Sequence, residues 1–224
     1  MKRILGTVTI GQSPRTDVTP DLRTILGDDV DIVEAGALDG LTKEDVAKLA
    51  PESGDYVLVT RLADGSSVQV AERHIAPRVE AKIGAHFANG LPVVLLLCTG
   101  EFPDFPTDGL LLRPQRILYN TVEAVARGLR VGFLTPSREQ IAQSENRWRT
   151  VCSNIRVVPA SPYANADAAV RAAASELGEW GADLAVMDCM GYTLAMQGMV
   201  RTITGKPVIL ARGIVARVVR ELIG

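Results

Sequence analysis

Short apolar runs alternate with helix-period segments along the whole chain. The runs at Arg3–Thr9, Val30–Ala35, Tyr56–Thr60 and Pro92–Cys98 predict strands, as do Arg130–Leu134, Ile155–Pro159, Leu184–Asp188 and Pro207–Ala211. Several are unbroken Val/Ile/Leu stretches, the pattern of parallel strands covered on both faces. Helical patterns fall between them. Leu41–Ala50 opens on Thr42 with Asp45 three residues on, a variant of the capping box. Ser66–Asn89 stops at Gly90, and its Pro77 should kink or split it. Arg113–Arg127 stops at Gly128, and Ser137–Cys152, Asn165–Trp180, Thr193–Thr204 and Arg212–Ile223 complete the set. Such alternation predicts an α/β fold with parallel sheet.

The pattern also repeats itself. "LGTVTIGQSPR" from Leu5 is echoed by "VGFLTPSREQ" from Val131, and "VDIVEAGAL" from Val30 by "IRVVPASPY" from Ile155. "DYVLVTRLADG" from Asp55 matches "DLAVMDCMGYT" from Asp183, and "LPVVLLLCTG" from Leu91 matches "KPVILARGIV" from Lys206. The order is the same in both halves. A (β/α)8 barrel would accommodate the same number of units, but the chain is short for one. The repeat favours two flavodoxin-like lobes, residues 1–128 and 129–211, each with a four-stranded parallel sheet and facing a central cleft. Residues 212–224 are expected to pack back on the first lobe. In open α/β sheets ligands collect beyond the carboxyl ends of the strands.

Composition narrows the partners. With 47% hydrophobic residues in 224, the chain can bury a sizeable core. A net charge of -2 gives no reason to expect nucleic acid or a membrane surface. No apolar run approaches a membrane span, and the apolar start is too short for a signal peptide. Three cysteines, an odd count without paired spacing, suggest a reducing compartment, so a cytoplasmic location is expected. A homo-oligomer is left open.

Candidate chemistry gathers at the predicted strand ends. After the first strand, "TIGQSPRTD" offers the Gln12 amide, the Ser13 hydroxyl and the Arg15 guanidinium, or an ordinary polar loop. After the third, Arg61 suits a substrate carboxylate or a salt bridge to a nearby acid. After the fourth, Cys98 and Thr99 precede a turn at Gly100. Cys189 ends the seventh strand ahead of Gly191, Tyr192 and Thr193. Either thiol could be a small core residue instead. The repeat places Arg61 and Cys189 at equivalent positions. Cys152 sits on a helical pattern and reads as packing. His74 and His86 read as helix-surface residues with no ligand cluster around them, so no metal is expected. No G-x-G-x-x-G, Walker or G-x-S-x-G pattern occurs, so no nucleotide cofactor and no serine-hydrolase elbow is expected.

Three stretches spread over the chain, "IGQSPR", "LLCTGEFP" and "DCMGY", closely resemble the AroM family, whose name marks an association with aromatic biosynthesis. The two-lobe pattern is similar to the aspartate/glutamate racemase superfamily, which includes racemases, maleate isomerase and arylmalonate decarboxylase. That resemblance implies cysteines at the third strand ends of both lobes, flanked by small polar residues that hold a carboxylate. Cys189 matches the second position; Arg61 stands at the first, so two-thiol chemistry would need Cys98 as a substitute, and single-cysteine members of the superfamily imply one-thiol proton delivery as the alternative. The resemblance implies racemisation, isomerisation or decarboxylation of a small carboxylate, without cofactor, through an enolate-like species. Cys189 would be the acid/base or nucleophile. Arg61 and Arg15 would anchor the carboxylate, and Gln12, Ser13, Thr99, Gly191, Tyr192 and Thr193 would orient it. The other reading is a non-catalytic carboxylate-binding or regulatory module.

Overall fold

In the computed structural model, which describes residues 3–224, the chain divides into two units. One runs to Gln115 and takes in Ala216–Gly224; the other is Arg116–Val215.

The first unit is organised on β1 (Arg3–Thr9), whose last five residues are all buried. It pairs in parallel with β2 (Val30–Gly36), Thr7 opposite Glu34, and with β5 (Val93–Leu96), Thr7 opposite Leu95. A short β6 (Leu110–Leu112) completes a sheet of order β2-β1-β5-β6. Between these strands lie α1 (Thr19–Leu26), α2 (Lys43–Ala47) and α3 (Glu72–Ala88). The expected capping box is present on α2: Thr42 accepts from the Asp45 amide while Asp45 accepts from the Thr42 amide. Val8, Leu38, Leu58, Val70, Ile75, Val79, Ile83 and Val94 form the core.

Three expectations fail in this unit. The expected helix from Ser66 begins instead with a strand, β4 (Ser67–Ala71), and α3 then continues through Pro77 as one helix. The third expected strand, β3 (Val57–Arg61), does not join the parallel sheet. It pairs antiparallel with β4, Arg61 opposite Ser67. The cause is local: Val68 and Val70 alternate with polar neighbours, and Gly65 adopts φ +90°, a conformation open mainly to glycine, between the two strands. His86 is also not a surface residue. It is 6% exposed, and its Nε2 lies 3.2 Å from the Thr7 carbonyl oxygen.

The second unit repeats the plan around β7 (Arg130–Thr135), flanked by β8 (Asn154–Pro159) and β9 (Leu184–Met187), with β10 (Val208–Leu210) outermost. The order is β10-β9-β7-β8, all parallel. A 3-10 turn (Arg138–Gln140) leads into α5 (Ile141–Trp148), followed by α6 (Ala166–Trp180) and α7 (Leu194–Thr204). The remaining helices, α4 (Pro114–Val125) and α8 (Ala211–Ile223), each cross a boundary between the units.

Each central strand needs a glycine where a helix packs on it. A Cβ on Gly132 would fall 2.6 Å from a Leu177 methyl carbon, and one on Gly6 would fall 2.9 Å from a Leu91 methyl carbon and 3.2 Å from the His86 ring. Within the first unit the C-terminal segment is tied down by Arg220, which donates to the Leu26 carbonyl at 2.8 Å and pairs with Asp29 at 2.9 Å. Among the described residues, no helix is long and apolar enough to cross a membrane.

Candidate active-site strand ends

Backbone bonds just past the strands fix which residues correspond in the two units. The Ala37 amide donates to Thr9 O, and the Ala160 amide donates to Thr135 O. One residue earlier on each central strand, Leu97 N donates to Val8 O at 2.7 Å and Asp188 N to Leu134 O at 3.0 Å. Leu97 and Asp188 are therefore equivalent, and so are the next residues, Cys98 and Cys189. This corrects the pairing of Arg61 with Cys189. The strand that looked like the third of the first sheet is a hairpin strand, and β5 takes its place.

The two cysteines share their local geometry. Gly100 N donates to Cys98 Sγ at 3.3 Å, and Gly191 N donates to Cys189 Sγ at 3.3 Å. Both turns need glycine for space. A Cβ on Gly100 would meet Leu58 at 2.5 Å, and one on Gly191 would meet the Tyr163 hydroxyl at 2.6 Å. Both thiols are partly exposed, and the three cysteines form no disulfide. Cys152 is buried just past the end of α5, its amide on the Trp148 carbonyl, and desolvation raises its thiol above the ordinary range.

Each cysteine loop is held by an arginine that follows the outermost strand of its sheet. Arg113, just after β6, donates to the Phe102 carbonyl and pairs with Asp104. Arg212, the second residue of α8, is fully buried. Its Nε and Nη2 donate to Met190 O at 2.9 and 2.7 Å, and Nη2 also reaches Gly191 O at 3.1 Å. The sequence reading missed both arginines. The available signal was a charge set in the apolar run "VILARGIV". It also missed the Tyr163 hydroxyl, brought against Gly191 by the loop after β8.

Asp188 is 4% exposed and turns toward α5. Trp148 Nε1 donates to its Oδ2 at 2.9 Å, and Arg147 pairs with the same oxygen. Trp148 in turn stacks on Phe133, centroids 4.4 Å apart.

The residues after the first strand are each engaged by other groups of the first unit. Gln12 donates its side-chain amide to Leu38 O and Leu41 O and accepts from Ala63 N. Ser13 places both its amide and its hydroxyl on Asp39, 2.7 Å each. Arg15, 3% exposed, grips Asp17 with Nε and Nη2 and gives Nη1 to Thr9. Arg61 Nη1 lies 3.8 Å from the same Asp17, and its Nε donates to Gly65 O. Burial pushes the Asp17 carboxyl up, but the Arg15 hydrogen bond and charge, with help from Arg61, outweigh it and leave it below its usual value. The two arginines expected to anchor a substrate carboxylate thus converge on a carboxylate of the chain itself.

Thr99 is buried, and Thr193 caps α7 by accepting from Met196 N. Tyr192 is fully buried and donates to Ala160 O at 2.6 Å; desolvation, reinforced by the charges of Cys189 and Asp188, raises its phenol well above the usual value. Tyr192 therefore belongs to the core of the second unit. A cavity of about 250 Å³ in the first unit, lined by Lys43, Val46, Ala47, Leu62, Ser66, Val68 and Gln69, contains none of these strand-end residues.

Two parallel four-stranded sheets with the helices around them define a racemase-like α/β fold. An allantoin racemase from Pseudomonas fluorescens has the same fold at 17% identity, with a TM-score of 0.62 over 98% of this chain and 89% of that one. A glutamate racemase from Francisella tularensis, solved with D-glutamate, gives 0.60 at 11% identity over 99% and 81%. The maleate isomerase from Pseudomonas putida S16 gives 0.59 at 12% identity over 99% and 93%. In sequence, residues 5–223 match the family model described as AroM protein, and the chain belongs to that family. No curated protein matches it in sequence.

Proposed function

We propose that this protein is a cofactor-independent isomerase or racemase that moves a proton at a carbon next to a small carboxylate, using Cys98 and Cys189. The observation that carries this reading is the equivalence of the two thiols. Each stands one residue past the last backbone bond of its sheet's second inner strand, and each has a glycine amide on its sulfur. One thiolate takes the proton from the substrate carbon, leaving an enolate-like species. A thiol then returns a proton to the enolate-like species, so one thiolate is consumed and one is regenerated, without redox change. An amide N–H on sulfur favours thiolate, which is the reactive form. The fold is compatible with this reading, since the structural neighbours include two racemases and an isomerase.

The first test is proton exchange in D2O, followed by NMR and chiral chromatography. The panel is glutamate and chemically related small carboxylic acids that carry a hydrogen on the carbon next to the carboxylate. Stereoinversion or isomerisation with deuterium incorporation, lost in both Cys98→Ser and Cys189→Ser, is the expected result. Tight binding of an acid with no exchange in the wild type would favour a non-catalytic carboxylate-binding module.

A further inference from the structure

Resting on the reading of Cys189 as a reacting thiol, we infer that Tyr163 is a specificity-determining residue of the second unit. Carried by the loop Ala160–Ala164, it walls one side of Cys189 and admits only slim acids to that thiol. The loop is pinned where it leaves β8. Ala160 N donates to Thr135 O at 2.8 Å, and the buried Tyr192 donates its hydroxyl to Ala160 O at 2.6 Å. Ser161 Oγ then accepts from the amides of Tyr163 and Ala164, at 3.2 Å each, a local turn that brings Tyr163 back toward the residues after Cys189. Pro162 has one fixed backbone dihedral, and Asn165 takes the left-handed conformation, φ +47°, at the start of α6.

This loop covers Gly191. A Cβ there would lie 2.6 Å from the Tyr163 hydroxyl, and 2.8 Å from both the ring carbon that bears it and a Pro162 ring carbon. Ring and backbone therefore meet with no side chain between them. Gly191 is buried and Tyr163 half-buried. The Gly191 amide lies on Cys189 Sγ at 3.3 Å, so whatever covers Gly191 stands beside the sulfur. Cys189 itself keeps partial exposure. The thiol is open on one side and bounded on another by a rigid aromatic ring with a polar tip. A substrate that presents its acidic carbon to Sγ must carry a substituent thin enough to pass that ring.

The first unit covers its equivalent glycine differently. Gly100 is met by Leu58, which is 1% exposed and belongs to the core. Truncating Leu58 would leave a cavity in that core. Truncating Tyr163 removes a loop side chain that stands partly in water. Of the two covers, Tyr163 is the one that can change what a thiol admits at the smaller cost in packing.

The test compares two alkylating reagents with the same reactive group, iodoacetamide and N-benzyliodoacetamide, on Cys189 of the full-length protein, read by peptide mapping. In Tyr163→Ala the benzyl rate divided by the iodoacetamide rate should rise roughly tenfold, the low end of what a packed pocket wall discriminates. Tyr163→Phe keeps the ring and should hold the wild-type ratio. Cys152, buried in the same unit, reports loosening and should label as slowly in both variants as in the wild type. An unchanged ratio in Tyr163→Ala overturns the wall. So does an equal rise in Tyr163→Phe, or a rise accompanied by faster labelling of Cys152. Should Tyr163→Ala not fold, the wild type decides: the ratio at Cys189 should be lower in the folded protein than in urea, and equal ratios overturn the wall. A shifted ratio in a protein that exchanges no proton on any acid tested supports the wall and counts against the proposed chemistry of Cys189.

Discussion

The indole nitrogen of Trp148 donates to Asp188 Oδ2 at 2.9 Å, so α5 determines where the residue before Cys189 points. Strand alternation alone predicts that Asp188 faces away from its neighbour. The structure adds the reason it stays there: Trp148 is locked by stacking on Phe133, and Arg147 holds the same carboxylate oxygen. Trp148→Phe keeps an aromatic ring but removes the donor and part of the ring volume. It should cost about 1.5–3 kcal/mol in urea unfolding, the range for a hydrogen bond to a charged group. Asp188→Asn should cost about 3–5 kcal/mol, because it leaves the Arg147 guanidinium buried beside a neutral amide. A Trp148→Phe protein as stable as wild type would show that stacking alone sets the geometry.

Glycines at the two kinds of position should respond in opposite directions. Gly132→Ala drives a methyl group into Leu177 and should destabilise by about 1–3 kcal/mol. Gly84 lies inside α3 with open space around it, so Gly84→Ala should stabilise by about 0.5–1 kcal/mol. Thermal melts of both variants check the contrast.

Asp17 makes a prediction about acid. Its carboxyl in the folded protein lies below the unfolded value of 3.8. The stability it contributes is therefore fully present above about pH 4 and is lost as pH falls through the folded value. Asp17→Asn should lower stability near neutrality and show a shallower decline below pH 4 than wild type. Parallel declines in the two proteins would mean that Arg15 and Arg61 do not hold Asp17 in solution.

The three thiols should separate kinetically. Cys152 is 3% exposed and raised by desolvation, whereas Cys98 and Cys189 are partly exposed with amides on their sulfurs. Near neutral pH, iodoacetamide should label Cys98 and Cys189 well before Cys152. Labelling of Cys152 at the same rate as either would remove the distinction between core and strand-end thiols.

Much of the fold was legible because strand burial leaves a direct trace. Val93–Leu96 and Leu184–Met187 are buried or nearly so along their length, and continuous apolar runs show it. Val57–Arg61 has a similar run but belongs to a hairpin, because hydrophobicity records that a strand is covered and not which strand it pairs with. The true fourth strand, Leu110–Leu112, is three residues long, too short for periodicity to register. That single ambiguity displaced the match for Cys189 from Cys98 to Arg61. The cysteines themselves were identified as candidates, since a polar or reactive residue at a strand end before a glycine is visible in sequence. Arg212 was not, because its significance lies in two carbonyls some twenty residues upstream in the chain. The substrate-anchoring role expected of Arg15 and Arg61 gave way, in the structure, to bonds with Asp17 that are local in sequence for one arginine and distant for the other.

The segment Ala216–Gly224 belongs to the first unit although the whole of the second unit precedes it in the chain. On a ribosome, where domains tend to fold as units and in order of emergence, the second unit can thus be complete while the first still waits for its last helix turns. Until Arg220 arrives, the carbonyl of Leu26 and the carboxylate of Asp29 lack that partner. The order of synthesis and the order of completion are therefore reversed, and the amino-terminal unit is the one that finishes last.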